Sequence, residues 1–324
     1  MHDVAKLAGV APITASRAVN TPEQVSEAVR TKVADAIART GYVPNFLAGG
    51  LASHRSRLVA AVVPTVSGPV FLQTIQSLTQ ALAERGYQLM LGQSGYSSDR
   101  EDALLGAIIG RRPDGIVLTG IMHSAEGRKR LVAAGIPVVE TWDLTPTPID
   151  MLVGFSHEDV GRSVAAFLHA KGRRRLALVS GSDERAKRRQ LAFQAAASAL
   201  GLDEVQIVVV PAPTTLRSGR AALVELMRAG AGPDAVFCSS DLLALGVMTQ
   251  AQVSGIAIPK RLAVVGFGDL EFAADLEPSL TTVHIDADAI GRQAARFIID
   301  RAEGRMDMPS VVDVGFQIVE RASA

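Results

Sequence analysis

Residues 3–20 of the chain read DVAKLAGVAPITASRAVN, and this stretch decides the fold of the first segment. The spacing i, i+3, i+4 of one apolar helical face is met by Val4, Leu7 and Ala8. Gly9 follows at once and can adopt the positive φ of a tight turn. The stretch therefore predicts a short helix that ends at a turn, with a second helix close behind it.

Two further helices follow in the pattern. The second can begin at Pro12, because proline is tolerated in a first turn, where its missing N–H has no partner to lose. The third can be capped by Ser26 and ended by Gly41. Three short helices with a glycine turn between the first two are typical of a helix-turn-helix, whose second helix enters the DNA major groove. The spacing alone also leaves an ordinary helical hairpin open.

The charge of the chain is uneven along its length. The 324 residues carry 33 Lys plus Arg against 33 Asp plus Glu, so the formal net charge is zero. The first 57 residues hold seven basic and four acidic side chains, a surplus of three positive charges. Such a surplus suits a DNA-binding segment, although an ordinary solvated surface can carry it too.

Composition and missing motifs narrow the class of protein. A hydrophobic content of 48% predicts a large core, and the single cysteine, Cys238, excludes an internal disulfide and is interpreted as a core thiol. The six histidines are scattered without metal-ligand spacing, so we expect neither a metal nor a cofactor. The phosphate-binding and nucleophile motifs of α/β enzymes are absent, which argues against a nucleotide-dependent enzyme. With no signal peptide and no apolar run of membrane length, we expect a cytoplasmic protein.

From residue 58 onward, short apolar runs alternate with amphipathic helical stretches. The runs that we predict as strands are Leu58–Val63, Gln88–Leu91, Gly115–Leu118, Ile136–Val139, Leu176–Val179, Val205–Val210, Ala235–Cys238, Leu262–Val265 and Thr281–Ile285. This alternation predicts an α/β fold with parallel sheets covered by helices on both faces. Residues 56–63 resemble residues 173–180, which predicts two similar subdomains with a ligand cleft at the carboxyl ends of their strands.

Several motifs carry a family resemblance. They are Asp3–Val10, Thr14-x-Ser16-Arg17-x-x-Asn20, Val25-Ser26 and Gly41-Tyr42-x-Pro44-Asn45, in this order. In these motifs the chain resembles the LacI/GalR family of transcriptional regulators. Residues 20–26, 153–155 and 313–316 resemble most the gluconate-utilisation repressors. The resemblance implies a helix-turn-helix DNA-binding domain at 1–45 and a hinge at 46–57. It also implies, at 58–324, an effector-binding and dimerisation domain with the periplasmic-binding-protein-like architecture of two doubly wound parallel sheets.

The resemblance also implies a function. The chain would not be an enzyme but a repressor that binds double-stranded operator DNA as a homodimer, with a tetramer also open. A small sugar or sugar acid would close the cleft, separate the paired hinges and release the DNA. Two alternatives stay open: a solute-binding protein without a DNA role, and a regulator that responds to a neutral sugar or a phosphosugar.

The recognition helix of the family corresponds to the second predicted helix. By resemblance, base edges would be contacted by Pro12, Ile13 and Arg17. Thr14 and Ser16 are predicted to contact phosphates or to pack within the head rather than to contact bases. Arg17 can contact O6 and N7 of a guanine bidentately, with a phosphate contact as the alternative.

Two further residues complete the predicted DNA contact, and a third is a departure from the family pattern. Asn45 belongs to the DNA-binding set, and Leu51 matches the leucine that inserts into the minor groove and kinks a base step. The alternative for Leu51 is an exposed side chain in a flexible linker. Ala11 stands where the family usually has a serine cap, and alanine cannot accept a hydrogen bond from the first turn.

Candidate effector-binding residues follow the predicted strands, where ligands of parallel sheets bind. This rule selects Ser67, Phe71, Gln93, Ser94, Tyr96, Trp142 and Asp143, and the resemblance adds Phe155, Arg189, Ser240, Asp241, Gly268 and Asp269. Trp142, the only tryptophan, can be a platform for a sugar's C–H face or a half-buried packing residue. His157 and His284 fall near strand ends, whereas a solvated helix face is predicted for Arg185, Lys187 and Arg188.

Two departures from the family pattern indicate the charge of the effector. Gly268 stands in a turn where sugar-binding members usually carry an acid, and Ser156 stands where an aspartate is often found. Without these two carboxylates, the surroundings of Arg189 are more favourable to an anion. We therefore predict that the effector is a sugar acid, gluconate or a close relative, held by Arg189.

Overall fold

A computed structural model describes residues 1–42, 55–66, 68–121, 123–228, 232–305 and 309–324. These residues divide into two units, Met1–Arg57 and Leu58–Ala324. Most of the predicted hinge at 46–57 lies outside the described residues, so the predicted domain boundaries remain predictions.

The described part of the first unit, which we call the head, contains three α-helices. They are α1 (His2–Ala8), α2 (Pro12–Asn20) and α3 (Glu27–Thr40). Gly9 ends α1 with a φ of 66°, as a helix cap in the left-handed region requires. The small core contains Val4, Ala5, Ala8, Ala15, Val33 and Ala36. The predicted helix-turn-helix is confirmed.

The second unit contains two sheets, and we call each sheet with its helices a lobe. The first lobe has the strand order β11-β5-β4-β3-β1-β2, with β1 (Leu58–Val63), β2 (Gln88–Gln93), β3 (Gly115–Thr119), β4 (Val138–Thr141), β5 (Met151–Gly154) and β11 (Val311–Asp313). Its helices are α4 (Leu72–Ala83), α5 (Ser98–Ile109), α6 (Ala125–Ala134) and α12 (Ala287–Ala302). All pairings within this sheet are parallel.

The second lobe repeats this plan. Its strand order is β12-β10-β9-β8-β6-β7, with β6 (Leu176–Gly181), β7 (Gln206–Val210), β8 (Ala235–Cys238), β9 (Ala263–Phe267), β10 (Thr281–His284) and β12 (Gln317–Val319). Its helices are α7 (His157–Ala170), α8 (Glu184–Ala199), α9 (Leu216–Arg228), α10 (Asp241–Val253) and α11 (Phe272–Asp275). The short β12 runs antiparallel to β10, and the other pairings are parallel.

Parallel pairing puts the carboxyl ends of neighbouring strands at one edge of each sheet. In the first lobe, for example, Val62 of β1 pairs with Gly92 of β2 and with Leu118 of β3. The central strands are apolar and buried, as strands covered on both faces must be. The predicted α/β architecture of two doubly wound sheets is confirmed.

Three short segments connect the lobes. They lie between β5 and α7, between β10 and α12, and between β11 and β12. One hydrophobic cluster holds residues of both sheets, such as Val153 and Val265. Among the described residues, no helix combines the length and the apolar character that a membrane span requires.

Helices α7 and α8 meet at a glycine. A Cβ atom on Gly161 of α7 would lie 2.3 Å from the carbonyl oxygen of Arg189 in α8, so a larger residue would push the two helices apart. This close approach holds the first turns of α8 beside the segment that crosses between the lobes.

Candidate functional site

A cavity of two adjoining chambers lies at the carboxyl ends of strands from both sheets. The outer chamber measures about 490 Å³ and is lined by residues at or just after the ends of β2, β3, β6 and β7, among them Ser94, Tyr96, Thr119, Ser182 and Ala212. The inner chamber measures about 80 Å³ and is lined by Val70, Phe71, Tyr96, Trp142, His157, Asp183, Arg185, Arg189, Ala212, Thr214, Ser239, Ser240 and Phe267. Tyr96, Asp183, Arg185 and Ala212 line both chambers.

Aromatic rings form one wall of the inner chamber. Trp142 is 2% exposed, and its ring meets Phe71 edge to face at a centroid distance of 5.2 Å. Its indole Nε1 donates to Oγ1 of Thr74 at 3.1 Å, which fixes the plane of the ring. Phe155 packs behind Trp142 at 5.9 Å and lines neither chamber. An apolar wall of this kind suits the C–H face of a sugar.

Arg189 faces the aromatic wall from helix α8. Its Nη1 donates to Nδ1 of His157 at 2.9 Å, and its Nη2 donates to the carbonyl oxygen of Ser239 at 3.2 Å. The guanidinium lies over the Phe267 ring at 4.0 Å. Burial lowers the pKa of Arg189 to about 10, so the side chain stays charged at neutral pH.

His157 is held in one protonation state by its two neighbours. Its Nε2 lies 2.9 Å from the carbonyl oxygen of Trp142, and a carbonyl can only accept. Nε2 therefore carries the proton, and Nδ1 accepts from Arg189. Burial and the nearby positive charges, Arg189 first among them, hold the pKa of His157 well below its ordinary value. The imidazole is neutral at physiological pH.

The arginine-rich start of α8 is not a solvated face, and this prediction is wrong for two of its three residues. Lys187 is exposed, but Arg188 bridges two carboxylates, pairing with buried Asp143 and with Glu158, whose Oε1 lies 2.7 Å from Nε. Arg185 reaches the carbonyl oxygen of Thr119 in the first lobe at 3.3 Å.

Several predicted effector residues do not line the chambers. The carboxylate of Asp143 forms an ion pair with Arg188, and burial raises the pKa of the Asp143 carboxyl. Asp241 is buried and accepts from the Thr282 hydroxyl at 2.6 Å and from the Leu270 amide at 2.8 Å. Burial raises the pKa of Asp241 to about 6. Its hydrogen bond with the Leu270 amide holds the turn after β9, which is a structural role.

The turn after β9 also lies away from the two chambers. Asp269 pairs with Arg321 at 2.7 Å and with His284 at 3.0 Å, and neither Asp269 nor Gly268 lines a chamber. Predicted positions that do line them are Phe71, Ser94, Tyr96, Trp142, Arg189 and Ser240. Ser67 lies outside the described residues.

Some lining residues were not selected from the sequence. Asp183, Thr214 and Ser239 follow β6, β7 and β8, so the strand-end rule, applied to the second lobe, would have found them. Ser240 caps α10 by accepting from the Leu243 amide, and its hydroxyl lies 2.8 Å from that of Thr214. These hydroxyls can exchange hydrogen bonds with a polyhydroxylated ligand.

The outer chamber contains a charged cluster. His123 lies 2.6 Å from Glu101 and 3.4 Å from Glu140, and both the imidazole and Glu140 are almost completely buried. Burial opposes the charge of His123, but the two carboxylates outweigh it and raise its pKa to about 9. The described part of the chain contains no group of acidic, histidine and cysteine side chains arranged for a metal ion.

The exposed face of α2 presents the predicted DNA-contacting residues. Ile13 is 60% exposed, which is unusual for a large apolar side chain, and Pro12 and Arg17 are exposed beside it. Thr14 and Ser16 are partly exposed. Ala11 begins the helix without a side-chain cap, as the sequence predicts. Asn45 and Leu51 lie outside the described residues.

A helix-turn-helix head followed by a two-lobed core with a polar cavity defines the class of ligand-responsive DNA-binding regulators. Residues 1–45 match the family described as bacterial regulatory proteins, lacI family, and residues 165–324 match the periplasmic binding protein-like domain. The chain belongs to the LacI family of bacterial transcriptional regulators and is not an enzyme.

Two relatives cover nearly the whole chain. The HTH-type transcriptional regulator GntR of Pseudomonas aeruginosa is 34% identical over 325 residues, covering 100% of this chain and 95% of that protein. The GntR regulator of Escherichia coli K12 is 30% identical over 319 residues, covering 98% of this chain and 96% of that protein. The family predicted from the sequence is confirmed.

Solved structures agree with this assignment. A LacI family regulator from Silicibacter pomeroyi superposes with a TM-score of 0.94 at 31% identity, covering 99% of this chain and 98% of that chain. The lac repressor dimer bound to operator superposes with a TM-score of 0.85 at 23% identity, covering 99% of this chain and 97% of the other, and shows the shared fold.

Proposed function

We propose that this chain is a repressor that binds an inverted-repeat operator and that a sugar acid, gluconate or a close relative, controls its affinity for DNA. One observation carries the choice of an acid. Arg189 is buried and charged, it lines the inner chamber, and no carboxylate of the described residues lies within ion-pair distance of it. An anionic ligand would compensate that charge.

Two further features support this proposal. Phe71, Trp142 and Phe267 offer apolar surface to carbon-bound hydrogens, while Asp183 and the hydroxyls of Thr214 and Ser240 suit a ligand with several hydroxyl groups. The sequence resemblance to the gluconate-utilisation repressors also favours gluconate, and two regulators named GntR are similar to the chain. Regulators named IdnR, CelR and CytR are similar to it as well.

The proposed DNA contact rests on the exposed face of α2. Ile13 suits the methyl group of a thymine, and Arg17 suits the edge of a guanine. A single helix-turn-helix reads only a few base pairs, so a homodimer in which two heads read two half-sites is proposed as the active form. In this proposal Asn45 and Leu51 complete the contact to the backbone and the minor groove.

The effector is identified by titration of the purified full chain. Gluconate, ketogluconate, phosphogluconate, glucose and glucitol are titrated separately by calorimetry and by the fluorescence of Trp142, the only tryptophan and a wall of the inner chamber. We expect saturable binding of at least one acid. Binding of glucose at micromolar strength with no response to any acid would contradict the proposal.

DNA binding is tested with an operator selected from random duplex. Arg17→Gln is expected to weaken specific binding by roughly 5- to 150-fold, which is the discrimination of a lost bidentate base contact. Arg39→Gln, an equal change of charge on exposed α3, is the matched control and should change affinity far less. Gluconate should weaken the complex; a tighter complex would make it a corepressor. Failure of the dimer to prefer any inverted repeat over random duplex would refute the DNA role.

A further inference from the structure

Arg185 occupies the junction between the two chambers. It is the second residue of α8, it lines both chambers, and its side chain is 12% exposed. Its guanidinium therefore lies where the two chambers adjoin, together with Tyr96, Asp183 and Ala212. No other arginine of the described residues that line the cavity shares this position, because Arg189 lines only the inner chamber.

The guanidinium of Arg185 is only weakly held by the protein. Nη1 donates to the Thr119 carbonyl oxygen at 3.3 Å, and Nε lies 4.0 Å from Oδ1 of Asp183, the outer limit of an ion pair. Oδ1 of Asp183 also accepts from the Ala186 amide at 3.1 Å, as the cap of α8. The Phe71 ring supports the group at 5.2 Å without using a hydrogen-bond donor.

The two neighbouring arginines are bound differently. Arg188 pairs with the carboxylates of Asp143 and Glu158, and Arg189 donates to His157 and Ser239 while its Nε is sealed from solvent. Within the described part of the chain, Nη2 of Arg185 donates to no protein group. A guanidinium has five N–H donors in a planar fork, so most of the donors of Arg185 remain available to hydrogen-bond a ligand.

A glycine of the first lobe leaves room for the Arg185 guanidinium. Gly120 follows β3 with a φ of 105°, and a Cβ atom there would lie 3.1 Å from Nη1 of Arg185. A side chain at this position would therefore crowd the guanidinium. Arg185 reaches from the second lobe to the first across the cavity, so an anion bound to it lies between the lobes.

We propose that Arg185 makes the direct contact with the anionic group of the effector and sets the preference for an acid over a neutral polyol. This inference rests on the proposed function and deepens it. Arg189 contributes its buried charge to the inner chamber, while Arg185 supplies the fork that a carboxylate accepts bidentately. Asp183 at the same junction accepts from a hydroxyl of the ligand rather than from its acid group.

The test compares two ligands with matched hydroxyl groups. Gluconate and glucitol differ at one end, which is a carboxylate in the first and a hydroxymethyl group in the second. Calorimetry on the full chain measures both dissociation constants for the wild type, for Arg185→Gln and for Arg185→Lys. Lys187→Gln is the matched control, because it removes a positive charge from the same helical turn at an exposed position.

Arg185→Gln is expected to weaken gluconate binding by about 10- to 150-fold, the range for losing a hydrogen bond to a charged group. Glucitol binding should change less than about threefold, because no charged contact is lost. Arg185→Lys should recover part of the loss, since lysine keeps the charge but lacks the planar fork. Lys187→Gln should leave both constants nearly unchanged, since exposed charges are screened.

Each other outcome overturns the inference in a recognisable way. If Arg185→Gln binds both ligands as the wild type does, Arg185 is only a bridge to Thr119. If it loses both ligands equally while the Trp142 emission of the free protein stays unchanged, the residue shapes the cavity and does not select the acid. In both cases the wild type still binds gluconate and the proposed function stands. If the wild type binds no acid, the proposed function fails and this inference fails with it.

Discussion

The Nδ1 atom of His157 accepts a hydrogen bond from Arg189, while Nε2 of the same ring donates to the carbonyl oxygen of Trp142. Trp142 follows β4 of the first lobe, and Arg189 belongs to α8 of the second. The neutral ring therefore connects Trp142, on the wall of the inner chamber, to Arg189 in the second lobe. A ligand that shifts Arg189 acts on this connection directly.

Protonation of His157 should destabilise the folded protein. The folded pKa lies well below the ordinary value of 6.5, so the unfolded chain binds the extra proton first as the pH falls. The stability that depends on the neutral ring is present above pH 6.5 and is lost as the pH falls below it. We expect the free energy of unfolding to drop with a limiting slope of about 1.4 kcal/mol per pH unit for this one proton.

The measurement is urea unfolding between pH 7.5 and 5 for the wild type and His157→Gln. Glutamine can accept from Arg189 and donate to Trp142 but does not titrate, so the variant should show a shallower fall in stability across this range. Equal slopes for the two proteins would show that His157 does not titrate between folded and unfolded states.

His123 should produce the opposite pH dependence. Its folded pKa is raised to about 9 by Glu101 and Glu140, against an ordinary value of 6.5. The stability it contributes is complete below pH 6.5 and is lost as the pH rises towards 9, because the folded protein then holds a proton that the unfolded chain has released. His123→Gln should flatten the unfolding free energy between pH 6.5 and 9, measured by urea unfolding. A variant that follows the wild-type curve would contradict the charged state.

The sequence pattern did not predict the contacts that the three arginines of α8 make. A run of basic residues on a helix is usually solvated, and Lys187 is. Arg185 and Arg188 instead reach the first lobe, at Thr119 and Asp143. Arg189 contacts His157, which in turn contacts Trp142 of the first lobe. Periodicity predicts the helix but does not show that its first turns face another lobe, because that depends on how the chain crosses between two sheets.

Much of the fold was predictable, since short apolar runs bounded by turns are typical of buried parallel strands. The predicted run Leu58–Val63 matches β1 residue for residue. Three strands were missed, and all are short: β5 has four residues, and β11 and β12 have three each, too few to show a period. β11 and β12 lie near the end of the described chain, and pairing with β5 and β10 rather than local pattern makes them strands.

The strand-end rule was right for some site residues and not for their neighbours. It placed Trp142 on the cavity wall correctly. It failed for the next residue, Asp143, because Trp142 has a φ of 67° and the chain turns there, which directs the carboxylate to Arg188. A sequence pattern does not reveal a positive φ at a tryptophan.

The pairing of Arg188 with Asp143 should matter more for stability than its pairing with Glu158. Asp143 is fully buried and Glu158 is 37% exposed. Arg188→Gln leaves a buried carboxylate without its partner, and because the arginine itself is partly exposed we expect a loss of about 2–3 kcal/mol in unfolding free energy. Glu158→Gln should cost less than about 1 kcal/mol, as exposed ion pairs do.

A double-mutant cycle separates these contributions. In the variant Asp143→Asn the buried charge is gone, so adding Arg188→Gln should then cost much less than it does in the wild type. Chemical unfolding of the four proteins measures the coupling. Additive losses would show that Arg188 and Asp143 do not stabilise one another, whatever their distance.

The start of α2 offers a change that should stabilise the head. Ala11 has the extended backbone of a helix cap, with φ of −66° and ψ of 148°, but no side-chain oxygen to accept from the first turn. Ala11→Ser supplies that acceptor and should stabilise α2 by about 1 kcal/mol. Amide hydrogen exchange in α2 of the full chain should slow accordingly. Ala34→Ser, at an exposed interior position of α3, makes the same chemical change without a free amide to cap and should bring no gain. If both variants slow exchange equally, the effect comes from the serine itself and not from the cap.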